Sequence, residues 1–123
     1  MEVSSSPIFT QEKDTDLHVL LEVIPERIRN KLLGHANIEE LLEVVLDLGR
    51  PPEARFLGVN ELIDIGEVEQ SDIDFSVGKV GMFGADNRAG IERTLHRISA
   101  MRNRSGKVVG ITFRVGRAVY GTI

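Results

Sequence analysis

Residues 86–123 read DNRAGIERTLHRISAMRNRSGKVVGITFRVGRAVYGTI, and the fold turns on this stretch. Val109, Ile111, Phe113 and Val115 alternate with Gly110, Thr112 and Arg114. A period of two belongs to a strand with one buried face. Its partner is expected from about Arg93 to Asn103, with His96, Ile98, Ala100 and Arg102 on one face and Arg97, Met101 and Asn103 on the other. Arg104-Ser105-Gly106-Lys107 supplies the turn, with Gly106 available for positive φ. The stretch therefore predicts a C-terminal β-hairpin, and a basic one. It holds eight of the fifteen Lys and Arg residues and two acids, a net +6, whereas residues 1–85 carry −10.

Upstream, GADNRAG reads as a loop. Ser71-Asp72-Ile73-Asp74 is a variant of the capping box and opens a helix carrying Ile73, Val77 and Val80 on one face. Gly78 and Gly81 weaken it by roughly 1 kcal/mol each relative to Ala. Before it, Val44, Leu46 and Leu48 alternate with Val45 and Asp47 as a strand. Gly49-Arg50-Pro51-Pro52 must leave the ladder as a structural turn, because two prolines cannot donate to it. Glu53 to Phe56 resumes extended chain, Leu57 to Asn60 turns, and Glu61 to Ile65 returns, an irregular hairpin.

The first ordered part is helical. Leu17, Leu20, Leu21 and Ile24 share one face, Pro25 interrupts, and a second piece buries Ile28 and Leu32 before Gly34. Asn37 is placed to cap a short third helix with Glu39 and Glu40 in its first turn. Residues 1–15 are polar and Ser-rich and predict a disordered lead-in. The expected fold class is α+β: N-terminal helices, then a small mixed or antiparallel sheet with one packed helix, then the basic hairpin.

At 123 residues and 41% apolar, the chain is long enough for one ordinary core. The absence of Cys excludes disulfides, Cys-based zinc sites and thiol catalysis. No apolar run approaches the ~20 residues of a membrane span. His18, His35 and His96 fall in three separate elements, so no metal set is expected and each histidine reads as structural. Glu39, Glu40 and Glu43 read as a solvated helix face. The phosphate-cradling pattern G-x-x-x-x-G-K-S/T is missing, and Ser105-Gly106-Lys107 is followed by a strand instead of a helix. What remains is the group of arginines. A guanidinium meets phosphate or carboxylate through a bidentate, permanently charged fork, so the partner is a nucleotide phosphate, a nucleic-acid backbone or an acidic surface.

LLEVIPERIR, EVVLDLGRPPEARF, NRAGIERTLHRISA and FRVGRAVYG closely resemble a family of plastid and cyanobacterial P-loop ATPases of the AAA type, first catalogued as a hypothetical chloroplast reading frame and with plant members in plastid development. The resemblance covers about residues 16–123. More distantly the chain is similar to the stage III sporulation AA ATPase and to secretion and pilus-retraction ATPases. The resemblance implies that residues 16–123 form a regulatory and assembly domain, PAS-like, that stands before a motor absent from this chain. It implies no catalysis and no cofactor in this piece, with ATP and magnesium held by the parent protein. It implies neighbouring subunits of a ring as partners, and Arg93, Arg97, Arg102, Arg104 and Arg114 as candidates for a contact in trans to nucleotide. It implies a plastid location in a plant and a cytoplasmic one in a cyanobacterium. The alternative reading is a nucleic-acid-binding module built on the basic hairpin; only Phe113 and Tyr120 stand near its arginines for base stacking.

Overall fold

The computed structural model describes residues 16–81, 83–84, 86–91 and 94–117. The expected lead-in, residues 1–15, lies outside these. Helix α1 covers residues 16–21, with Leu20 and Leu21 buried. Pro25, lacking an amide hydrogen, stands at the N-cap of α2 (Glu26–Leu33), where no hydrogen is needed. Ile28 and Leu32, four apart, are its buried stripe. The expected third helix is a single 3-10 turn, Ile38–Glu40. The Asn37 side chain does not cap it. Instead the Asn37 amide donates to His35 Nδ1 at 2.9 Å, which draws that corner toward His35.

The strands follow in the order β1 (Leu41–Asp47), β2 (Glu53–Phe56) and β3 (Val59–Leu62), then helix α3 (Gln70–Val80), then β4 (Arg88–Gly90), β5 (Arg97–Arg102) and β6 (Val108–Arg114). They form one six-stranded sheet in the order β3-β2-β1-β6-β5-β4, and every pair of named strands is antiparallel. Among the described residues the one parallel contact is an isolated bridge from Leu48 to Val68. The C-terminal hairpin is thus present as β5 and β6, but β6 lies in the middle of the sheet, paired with β1 on its other side.

Three boundaries differ from the sequence reading. The β2–β3 turn is only Leu57-Gly58, with Gly58 at φ 85°, so the return strand begins at Val59. Strand β5 begins at Arg97, because Thr94 closes a turn onto Ile91 through both its amide and its hydroxyl. The box that opens α3 is Glu69 with Asp72, not Ser71 with Asp74: the Glu69 side chain takes the Asp72 amide and the Asp72 carboxylate takes the Glu69 amide at 2.8 Å. The longer Glu69 side chain can reach its N3 amide, while Ser71 already lies inside the helix. Gly81, at φ 91°, ends α3.

The helices cover one face of the sheet. Leu20, Leu21, Ile24, Ile28 and Leu32 share a core with Val44, Leu46, Phe56, Ile98, Ile111 and Phe113. Each such side chain contributes about 1.5–3 kcal/mol when fully buried. Ser76 of α3 is fully buried and donates to the Val23 carbonyl at 2.7 Å, which locks α3 to the corner between α1 and α2. The alternation that sends these residues inward sends Arg55, Glu43, Arg114, Arg97 and their neighbours to the opposite face.

Candidate functional site

The face of the sheet away from the helices carries a row set by register alone. Arg55 on β2 stands opposite Glu43 on β1, Glu43 opposite Arg114 on β6, Arg114 opposite Arg97 on β5, and Arg97 opposite Gly90 on β4. The adjacent row brings Arg88, Ser99, Thr112, Val45 and Glu53 together across the same strands. Arg97 and Arg114 are both exposed. Like charges directly opposite on antiparallel strands destabilise a sheet.

The electrostatics divide the row in two. On the β1–β2 side the one base is paired and outnumbered: Arg55 lies 3.8 Å from Glu43 and 3.9 Å from Glu53. On the β4–β5–β6 side Arg88, Arg97 and Arg114 stand among Gly90, Ser99, Thr112 and Gly110. Among the described residues, none of these three arginines has an ion-pair partner within 4.0 Å. Ser99, Thr112 and Gly90 beside them are small, and the half-exposed Met101 lies on the same face over Gly110. Among the described residues no aromatic side chain lies on this face for bases to stack on.

The candidate arginines do not form one cluster. Arg93 lies outside the described residues. Arg104 is exposed in the β5–β6 turn. Arg102, expected on the buried-residue face of its strand, is exposed, because the register shifts between Met101 and Arg102. Its guanidinium braces the hairpin, donating to Asn87 Oδ1 at 2.7 Å and to the Gly106 carbonyl at 2.8 Å. Arg97 and Arg114 are the two that the sheet brings side by side. Arg88 was hidden from the sequence reading, since its place depends on pairing with β5. Arg117 turns back to the carbonyls of Leu41 and Glu39 at 2.9 and 2.7 Å.

The Gly49-Arg50-Pro51-Pro52 turn is tied to the segment after β3. Gly49 takes φ 85° and donates to the Val68 carbonyl, Val68 donates to Arg50, and Ile63 donates to Pro52. The histidines occupy separate places. His18 is exposed, His35 stacks on Phe56 with ring centroids 4.1 Å apart, and His96 is buried. Among the described residues no three His, Cys, Asp or Glu side chains are grouped to hold a metal, and no helix is long and apolar enough to cross a membrane.

Comparison with known proteins finds relatives along most of the chain. It is 56% identical over 108 residues to the uncharacterized protein ycf45 of Porphyra purpurea, covering 88% of this chain and 19% of that protein. It is 49% identical over 113 residues to the protein SEEDLING PLASTID DEVELOPMENT 1 of Arabidopsis thaliana, covering 92% of this chain and 16% of that protein. It is 40% identical over 106 residues to the uncharacterized protein ycf45 of Cyanidium caldarium, covering 86% of this chain and 32% of that protein. The chain thus spans a third or less of the length of each of these relatives. No family model matches it. Among solved structures, the Legionella pneumophila ATPase DotB aligns at a TM-score of 0.42 and 11% identity, over 94% of this chain and 30% of that one, a likeness too slight to carry an argument.

Proposed function

We propose that this chain is a non-catalytic assembly domain of a longer plastid P-loop ATPase, and that it docks on a neighbouring subunit through the β4–β5–β6 part of its open sheet face. The observation that carries the reading is the pair Arg97 and Arg114, exposed and directly opposite. For the isolated domain this pairing is a cost. Against a carboxylate-rich surface or a bound nucleotide's phosphates, two adjacent guanidinium forks become an asset. The similarity to segments of much longer proteins supports the role as one domain among several. The printed name of the Arabidopsis relative supports a role in plastid development.

In this reading ATP and magnesium are held by the rest of the longer protein, and the domain takes the place of the PAS-like unit that precedes the motor. It works in the plastid of a plant or alga and in the cytoplasm of a cyanobacterium. The test is ATP turnover by the longer protein carrying Arg97→Ala and Arg114→Ala together. Turnover at least tenfold lower, with the variant still folded, is the expected result. Unchanged turnover would overturn the role of these two residues. Salt-sensitive binding of single-stranded nucleic acid to the chain, lost in the same double variant while turnover persists, would favour a nucleic-acid-binding module instead.

A further inference from the structure

Among the described residues, the most enclosed titratable group is not on the sheet face but at the base of β5. His96 is 2% exposed and lies immediately before Arg97. Its ring joins two segments 100 residues apart. Nε2 is 2.7 Å from the backbone carbonyl of Asp16 in α1, and Nδ1 accepts from the Gly116 amide at 3.0 Å, just past the end of β6. Since a carbonyl can only accept and an amide can only donate, the imidazole is fixed as the tautomer with its hydrogen on Nε2.

The exit segment is held on every side. Val115 donates to the Leu42 carbonyl at 2.9 Å. Gly116 lies so close to Leu95, two residues before β5, that a Cβ there would collide with the Leu95 carbonyl. Arg117 closes the corner with its two hydrogen bonds to the carbonyls of Leu41 and Glu39. Val115 and Arg117 are thus bonded to the start of β1 and the turn before it, and Gly116 between them to His96.

We infer that His96, with Gly116 and Arg117, is a clamp that fastens Asp16 of α1 to the exit of β6 and makes Val115–Arg117 a rigid mount. It holds whatever the mount carries at a set direction relative to the sheet. His96 and Arg97 are neighbours on β5, and Gly116 lies two residues past Arg114. Both strands that present the arginine pair on the open face therefore end at the clamp on the other side. The clamp itself rests on the His96 geometry and stands whether or not the docking reading does.

The test separates the two ends of the imidazole. Asn places an oxygen near the position of Nδ1, so His96→Asn keeps an acceptor for Gly116 and loses the donor to Asp16. Gln places a nitrogen near the position of Nε2, so His96→Gln keeps the donor to Asp16 and loses the acceptor. Amide hydrogen exchange of the 123-residue chain is measured by NMR. In His96→Gln the Gly116 amide should exchange at least tenfold faster, with the amides of residues 19–22 changed less than threefold. In His96→Asn the pattern should reverse. Arg117→Ala, which leaves the ring intact, should speed Gly116 alone, and serves if either ring variant fails to fold. Uniform acceleration across the chain, including Ile111 and Phe113, would make His96 a packing residue only and overturn the clamp. No acceleration at either end would overturn it as well.

Discussion

Arg27 on α2 and Asp72 in the first turn of α3 are joined by two charge-assisted hydrogen bonds, with Nη2 2.6 Å from Oδ2 and Nε 3.3 Å from Oδ1. The same guanidinium donates to the carbonyls of Ile65 and Glu67 at 2.9 and 3.0 Å, and Asp72 also takes the Glu69 amide. One pair therefore ties α2, the segment after β3, and the start of α3 together. Its guanidinium is held above its ordinary pKa, chiefly by the hydrogen bond it donates to Asp72 and against the opposing effect of burial.

A group raised in the folded state contributes stability that is complete below its ordinary pKa and is lost only as pH rises through the raised value. The Arg27 side of the pair therefore persists through the neutral and mildly basic range. Asp72→Ala should cost about 2 kcal/mol in urea unfolding, less than a fully enclosed pair because the Arg27 side chain is 38% exposed. Asp72→Asn should cost less, since it keeps an acceptor for the Glu69 amide. A loss near zero for Asp72→Ala would contradict the bracing role.

Two glycines should respond in opposite directions to the same methyl group. Gly78, exposed within α3, has nothing within 4 Å of a built Cβ. Gly78→Ala should stabilise by about 0.5–1 kcal/mol, because the unfolded chain loses more freedom than the helix does. Gly116→Ala must displace the Leu95 backbone and should destabilise by about 3 kcal/mol or more. Thermal unfolding of the two variants, several degrees apart on either side of the parent, checks both.

The opposed arginines should be a measurable burden on the chain alone. Arg97→Thr removes one charge and places a β-branched residue in the strand, so stability should rise by about 0.5 kcal/mol at low salt. The gain should shrink as salt rises toward 1 M, where the screening length falls to about 3 Å. A loss of stability at low salt would mean that Arg97 is satisfied within the domain.

Much of this fold is legible locally. The β5–β6 hairpin announces itself through its alternating apolar residues and through Gly106, which takes φ 89° in the turn. The helices follow from the spacing of Leu20, Leu21, Ile24, Ile28 and Leu32 around Pro25. What was not legible depends on partners far along the chain. Arg88–Gly90 is three residues long with no apolar alternation, and only pairing with β5 makes it a strand. Nothing local in β6 says that it lies between β1 and β5. Yet that placement sets Glu43 and Arg97 on either side of Arg114 and creates the row on the open face. The basic character of the site was in the sequence; the opposition of its two central arginines came only with the register.

That opposition is the centre of the functional account, and the most direct measurement is sedimentation velocity of the longer protein with Arg97→Glu and Arg114→Glu combined. Charge reversal leaves the open face intact in shape and removes its attraction for an anionic partner. The expected result is a shift from the assembled species to a single subunit, with the isolated domain still folded by circular dichroism. An unchanged distribution of assembled species, at the same salt and protein concentration, would contradict docking through this face.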